Sequence, residues 1–218
     1  MSERTTLVIA SSNRAKILEF RALLADLPIE VLGVSDVAHE KIAVVEDADT
    51  FEGNAVKKAR SIAEVVTMLT LADDSGLEVD ALGGRPGVRS ARFAHDRATD
   101  AENNAALLAA LTDVELEHRR ARFRCVLALV DPWAVPGAEP FIASGTCEGA
   151  IAKDPRGAGG FGYDPLFVVE GEGKTMAELG NDAKNAVSHR ARAVIALKPH
   201  LMRLLEHRAR DAAQILAG

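Results

Sequence analysis

The chain has 218 residues, of which 48% are hydrophobic and 27% charged, and its formal net charge is −6. This composition excludes disordered, collagen-like and coiled-coil classes, and the acidic balance argues against a protein that coats nucleic acid, a task that needs broad positive surface. No apolar run reaches membrane-spanning length, and "MSERTTLVIA" has no long apolar core after its basic residue, so a cytoplasmic protein without a membrane partner is expected.

The length suits one well-filled core, and no Pro/Ser-rich linker divides it, so a single domain over 1–218 is expected. In "TTLVIASSNRAKILEFRALLADL" a β-rich run from Leu7 to Ala10 gives way to a helical pattern carrying Ile17, Leu18, Phe20, Leu23 and Leu24. Ser11, Ser12 and Asn13 lie between them as cap residues. "DTFEGNAVKKARSIAEVV" predicts a second helix capped by Thr50, and "LTLADDSGLEVDAL" a strand and its turn. Thr99 and Glu102 have capping-box spacing and start a third helix. "ARFRCVLALVD" and "FIASGTCEGAIA" predict a strand pair joined through "PWAVPGAEP", and "GAGGFGYDPLFVVEG" a glycine-rich loop entering a strand. Thr175 and Glu178 repeat the capping-box spacing, and the last segment predicts helix bent or broken near Pro199. Strands and helices mix without strict alternation or repeat, which gives an α/β fold with a mixed sheet.

Asp73 and Asp74, at the expected end of an apolar strand, are costly to desolvate without compensation. They read as a divalent-cation site or, because Asp, Ser and Gly form turns readily, as a strand-end turn. Adjacent strand residues point to opposite faces, so the two carboxylates should not share one task. "SSNRAK" brings free backbone N–H groups, the positive helix end and Lys16 together, which suits a phosphate. Gly157, Gly159 and Gly162 spell G-x-G-x-x-G, yet "YDPLFVV" follows where a dinucleotide fold needs a helix. The glycines instead let backbone approach a ligand, with Phe161 and Tyr163 offering faces to a base. "AKNAVSHRAR" gathers Lys184, His189, Arg190 and Arg192 behind a cap at Ser188. Cys125 and Cys147 stand apart, without a zinc or redox spacing, and read as small buried hydrophobes.

Five stretches, "SSNRAK", "TFEGNAVKKA", "ADDSGLEVDALGGRPGVRSARFA", "GAGGFGYDPLF" and "SHRARA", run in order from Ser11 to Ala193. Together they resemble the inosine triphosphate pyrophosphatase family, also called Ham1-like. The resemblance implies a two-lobed α/β fold around a long curved mixed sheet, a homodimer, and Mg²⁺-dependent hydrolysis of ITP, dITP and XTP to monophosphate and pyrophosphate. By motif, Asp74 would be the catalytic carboxylate and a magnesium ligand, with Glu46 supporting the metal. Ser11, Ser12, Asn13, Arg14, Ala15 and Lys16 would hold the triphosphate, with Ser75 near it. Phe161, Gly162, Tyr163, Asp164, Lys184, His189 and Arg190 would hold the nucleoside. The family more often has Thr-Gly-Asn at Ser11 to Asn13, and often two acidic residues where Val45 and Glu46 stand. Two rival readings are a Maf-like pyrophosphatase for modified pyrimidine nucleotides or dTTP, and a nucleotide-binding sensor without catalysis.

Overall fold

The computed structural model describes residues 4–38, 42–135 and 137–217. In chain order the elements are β1 (Thr5–Ile9), α1 (Arg14–Leu23), β2 (Ile29–Gly33), α2 (Val34–Val37), α3 (Phe51–Val66), β3 (Leu69–Val79), α4 (Asp100–Ala110), β4 (Arg120–Val130), β5 (Phe141–Ile151), β6 (Phe167–Val169), α5 (Asn181–Val187) and α6 (His189–Ala217). Among the described residues six strands form one mixed sheet, ordered β2-β1-β3-β4-β5-β6. β1 runs parallel to both β2 and β3, and the pairs from β3 to β6 are antiparallel.

The helix starts follow local chemistry. Asn13 accepts from the Ala15 and Lys16 amides at α1, Thr50 from Gly53 at α3, and Thr99 with Glu102 forms a capping box at α4. The strand pair β4–β5 is the expected hairpin; residue 136 of its connection lies outside the described residues. Both cysteines are buried and free. β2 and the short α2 go beyond the elements read from the sequence.

Four expectations are corrected. β3 does not end at the acidic pair: it continues to Val79, and Asp73 and Asp74 stand opposite Leu127 and Val126 in mid-strand. The strand persists because each carboxylate has partners on its own face. The Thr175–Glu178 box opens only a 3₁₀ turn, Met176–Glu178, since Leu179 returns to extended backbone before α5 begins at Asn181. α6 runs through Pro199 as one helix, so of the expected bend or break the break does not occur. Leu197, Leu201 and Leu205 are all buried on either side of that proline, and burial of this face outweighs one missing N–H donor. The strand after the glycine loop is also shorter than expected, because Leu166 and Phe167 amides donate back to the Tyr163 carbonyl in a turn.

Alternation along the strands divides the core. Leu7, Ile9, Leu69, Leu71 and Cys125 face α1 and α6, whereas Val8, Ala72, Val126 and Ala128 face α3. A third cluster, with Leu77, Val79, Phe123 and Phe167, packs under α4. α6 lies close on β5 because position 145 is glycine. A Cβ there would overlap the His189 carbonyl oxygen and the Ala193 nitrogen.

Candidate active site

The period of two that sorts the core also sorts the acidic pair. Asp73 shares a face with Leu69 and Leu71 and meets α1 and α6. There Lys16 Nζ donates to both carboxylate oxygens at 3.2 and 3.0 Å, Ser75 Oγ donates at 2.9 Å and Arg190 at 3.3 Å. Arg190 also donates to Glu19 at 2.7 Å. Burial pushes the Asp73 carboxyl up, but Lys16, Arg190 and Lys58 together hold it well below the usual carboxylate range.

Asp74 faces α3. Asn54 Nδ2 donates to it at 3.3 Å, and the Lys58 ammonium lies 3.8 Å from Asp74 and 3.0 Å from Glu46. Burial raises the Asp74 carboxyl to about 6; Lys58 opposes this and Glu46 adds to it. The segment carrying Glu46 is held on two sides. Arg92 donates to the Glu46 carbonyl at 2.9 Å, and the Asn54 amide exchanges hydrogen bonds with Ala48 at 2.9 and 3.3 Å. Lys58, Asn54 and Arg92 are site residues beyond those read from the motifs. The four-residue spacing of Asn54 and Lys58, which puts both on one face of α3, was the available signal.

Asp74, Glu46, Lys58 and Arg92 border one cleft of about 1110 Å³, large enough for a nucleotide. All the residues expected at the site line it except Arg14 and Ala15. Those two are exposed in the first turn of α1, where Asn13 already takes the Ala15 amide. Ser11, Ser12, Asn13 and Lys16 form one end, beside Ser75. At the other end Phe161, Gly162, Tyr163 and Asp164 turn beneath α5 and α6, and Lys184 pairs with Asp164 at 2.6 Å. The ring of Phe161 has Lys184 Nζ 5.0 Å and the Arg190 guanidinium 5.9 Å from its centre. The Tyr163 hydroxyl donates to the Ser90 carbonyl at 2.8 Å and belongs to the wall.

Ser188 caps α6 by accepting from Ala191 at 3.1 Å, which aims the next two residues inward. His189 stacks on Phe123 with ring centres 4.9 Å apart. Burial and the adjacent Arg190 charge keep the imidazole neutral, and its Nδ1 is buried without a partner among the described residues. Arg190 lines the cleft but is buried in its wall, with its terminal nitrogens committed to Glu19 and Asp73. Arg192 turns away to the Thr146 carbonyl on β5 at 2.8 Å.

Residues 7–200 match the model of the Ham1 family. The chain belongs to the Ham1 family. Among its relatives, the dITP/XTP pyrophosphatase of Geobacter sulfurreducens is 50% identical over 197 residues, covering 90% of this chain and 96% of the relative. That of Bacillus subtilis is 44% identical, covering 86% and 92%. A solved Ham1 protein from Coxiella burnetii superposes with a TM-score of 0.81 at 42% identity, over 91% of this chain and 99% of that one.

Among the described residues, the acidic side chains that border the cleft near Lys58 and could face a cation are Asp74 and Glu46. No group of three His, Cys, Asp or Glu residues at metal-holding distance occurs among the described residues. The fit is nonetheless good, because both donors are hard carboxylates and the Lys58 ammonium already bridges them, which marks the place where a positive charge is stabilised.

Proposed function

We propose that this chain hydrolyses ITP, dITP and XTP to the nucleoside monophosphate and pyrophosphate, in the cytosol and as a homodimer. The observation that carries this reading is one cleft with a buried carboxylate of raised pKa, Asp74, on one wall and, on another, a neutral His189 stacked on Phe123 whose Nδ1 has no partner among the described residues. The names of the relatives from Geobacter sulfurreducens and Bacillus subtilis support it.

Asp74 and Glu46 would hold Mg²⁺, which supplies neutralisation of phosphate charge when bound. Asp74 also has the basicity to take the proton from a water. The water oxygen bonds to the α-phosphorus, the bond from that phosphorus to the α,β-bridging oxygen breaks, and pyrophosphate leaves with the electron pair. The positive end of α1, with Ser11, Ser12, Asn13 and Lys16, holds the phosphates. Asp73 keeps Lys16 oriented. At the base, Phe161 supplies a face, and His189 can donate to a 6-oxo group from its neutral ring. Adenine brings a donor to the same point and leaves that group unpaired.

Pyrophosphate release from a panel of ITP, dITP, XTP, GTP, ATP and dTTP, with and without Mg²⁺, tests the reading. Magnesium-dependent turnover of ITP, dITP and XTP with poor ATP turnover is expected. Preference for dTTP would favour the Maf-like alternative, and ITP-induced stabilisation without turnover would favour a sensor. Light scattering during chromatography reads the dimer directly.

A further inference from the structure

The loop that carries Phe161 is closed on itself by Asp164, which accepts from the Phe161 amide at 3.1 Å, and is gripped at the rim of the cleft by one helix, α4, whose Asp100 lines the cleft. Asp100 and Asn104 lie one turn apart on the same face of α4. The Gly162 amide donates to Asp100 Oδ2 at 2.7 Å, and Asn104 Nδ2 donates to the Gly162 carbonyl at 2.9 Å. Gly162 has a φ of 63°, a conformation that glycine adopts without strain, so two side chains grip both polar groups of a residue with little local structure to fix it. Asn104 Oδ1 is left buried and unpaired among the described residues, a polar cost accepted in the orientation that reaches Gly162. The next residue back is Phe161, whose ring centre lies 5.0 Å from Lys184 Nζ and 5.9 Å from the Arg190 guanidinium.

We infer that Asp100 and Asn104 are positioning residues for the purine pocket, fixing through Gly162 how deep the Phe161 ring stands and thereby the affinity for the base. This rests on the reading of Phe161 as the face that meets the base. Neither residue reaches the acidic pair, so loss of the grip should act on binding and leave the chemical step alone.

The test is steady-state kinetics with ITP for Asp100→Ala, Asp100→Asn, Asn104→Ala and Phe161→Ala, with thermal melting of each. Asp100→Ala and Asn104→Ala should raise KM for ITP about tenfold, the effect of one lost charge-assisted or buried hydrogen bond, with kcat within about twofold of the parent. Asp100→Asn keeps an acceptor for the Gly162 amide and should recover most of the affinity. Asp100 is exposed, so its melting temperature should stay near that of the parent. If Phe161→Ala raises KM while Asp100→Ala and Asn104→Ala do not, the latch is overturned and the base reading stands. If Phe161→Ala also leaves KM unchanged, the base reading falls and the inference falls with it. A loss confined to kcat in the α4 variants also overturns it.

Discussion

Asp73 and Asp74 are chain neighbours with opposite electrostatics, and pH separates them. The Asp73 carboxyl is held low, so its stabilisation is present above its unfolded value near 3.8 and is lost as pH falls towards its folded value. Asp74 is raised to about 6 from 3.8, so its contribution is present below the unfolded value and is lost as pH rises through about 6. Asp74→Asn should therefore melt at a higher temperature than the parent at about pH 8, with the gap closing as pH falls to about 4. A variant less stable than the parent at alkaline pH would show that burial does not dominate at this carboxyl. Asp73→Asn should do the reverse. It leaves Lys16 and the buried Arg190 without their shared charge and should cost about 3–5 kcal/mol in denaturant unfolding at neutral pH. Little change there would mean that Glu19 alone suffices for Arg190.

At the scale of elements, the site depends on how closely α6 approaches the sheet. Gly145 permits that approach, and the residues it admits include His189 and, one turn on, Ala193. Gly145→Val should lower the melting temperature by several degrees and raise KM for ITP, because a branched side chain displaces the start of α6. An unchanged KM would separate α6 docking from base binding. Helix α3 is the counterpart on the other face. Its Lys58 stands between Glu46 and Asp74, so Lys58→Met leaves two carboxylates facing each other. That variant should melt lower than the parent without divalent cation and gain more than the parent when Mg²⁺ is added. Equal gains would indicate that the cation binds elsewhere.

Across the whole molecule, what could be read from the sequence divides by the range of the interactions. The starts of α1, α3 and α4 follow from Asn13, Thr50, Thr99 and Glu102 acting within three residues of themselves, so they were legible. The opposite orientation of Asp73 and Asp74 was legible too, because strand period fixes it. Their mid-strand position was not. It depends on Lys16, Asn54, Lys58 and Arg190, which lie between 15 and 117 residues away along the chain. The same holds for Pro199, where long-range packing decides against a local breaker, and for the commitment of Arg190 to Glu19 across 171 residues. The site residues found through resemblance gather in one cleft, apart from Arg14 and Ala15, whereas the contacts of Arg92 with Glu46 emerge only from the packed structure, and those of Asn54 and Lys58 were hinted at by their shared helix face alone.

If a carboxylate kept basic by burial, not a nucleophilic side chain, drives the hydrolysis, then pyrophosphate release from ITP in the presence of Mg²⁺ should depend on Asp74, and Asp74→Asn is the variant to assay. The kcat of this variant should fall roughly 10²- to 10⁴-fold in a protein that melts no lower than the parent at alkaline pH. Turnover within a few-fold of the parent would contradict it.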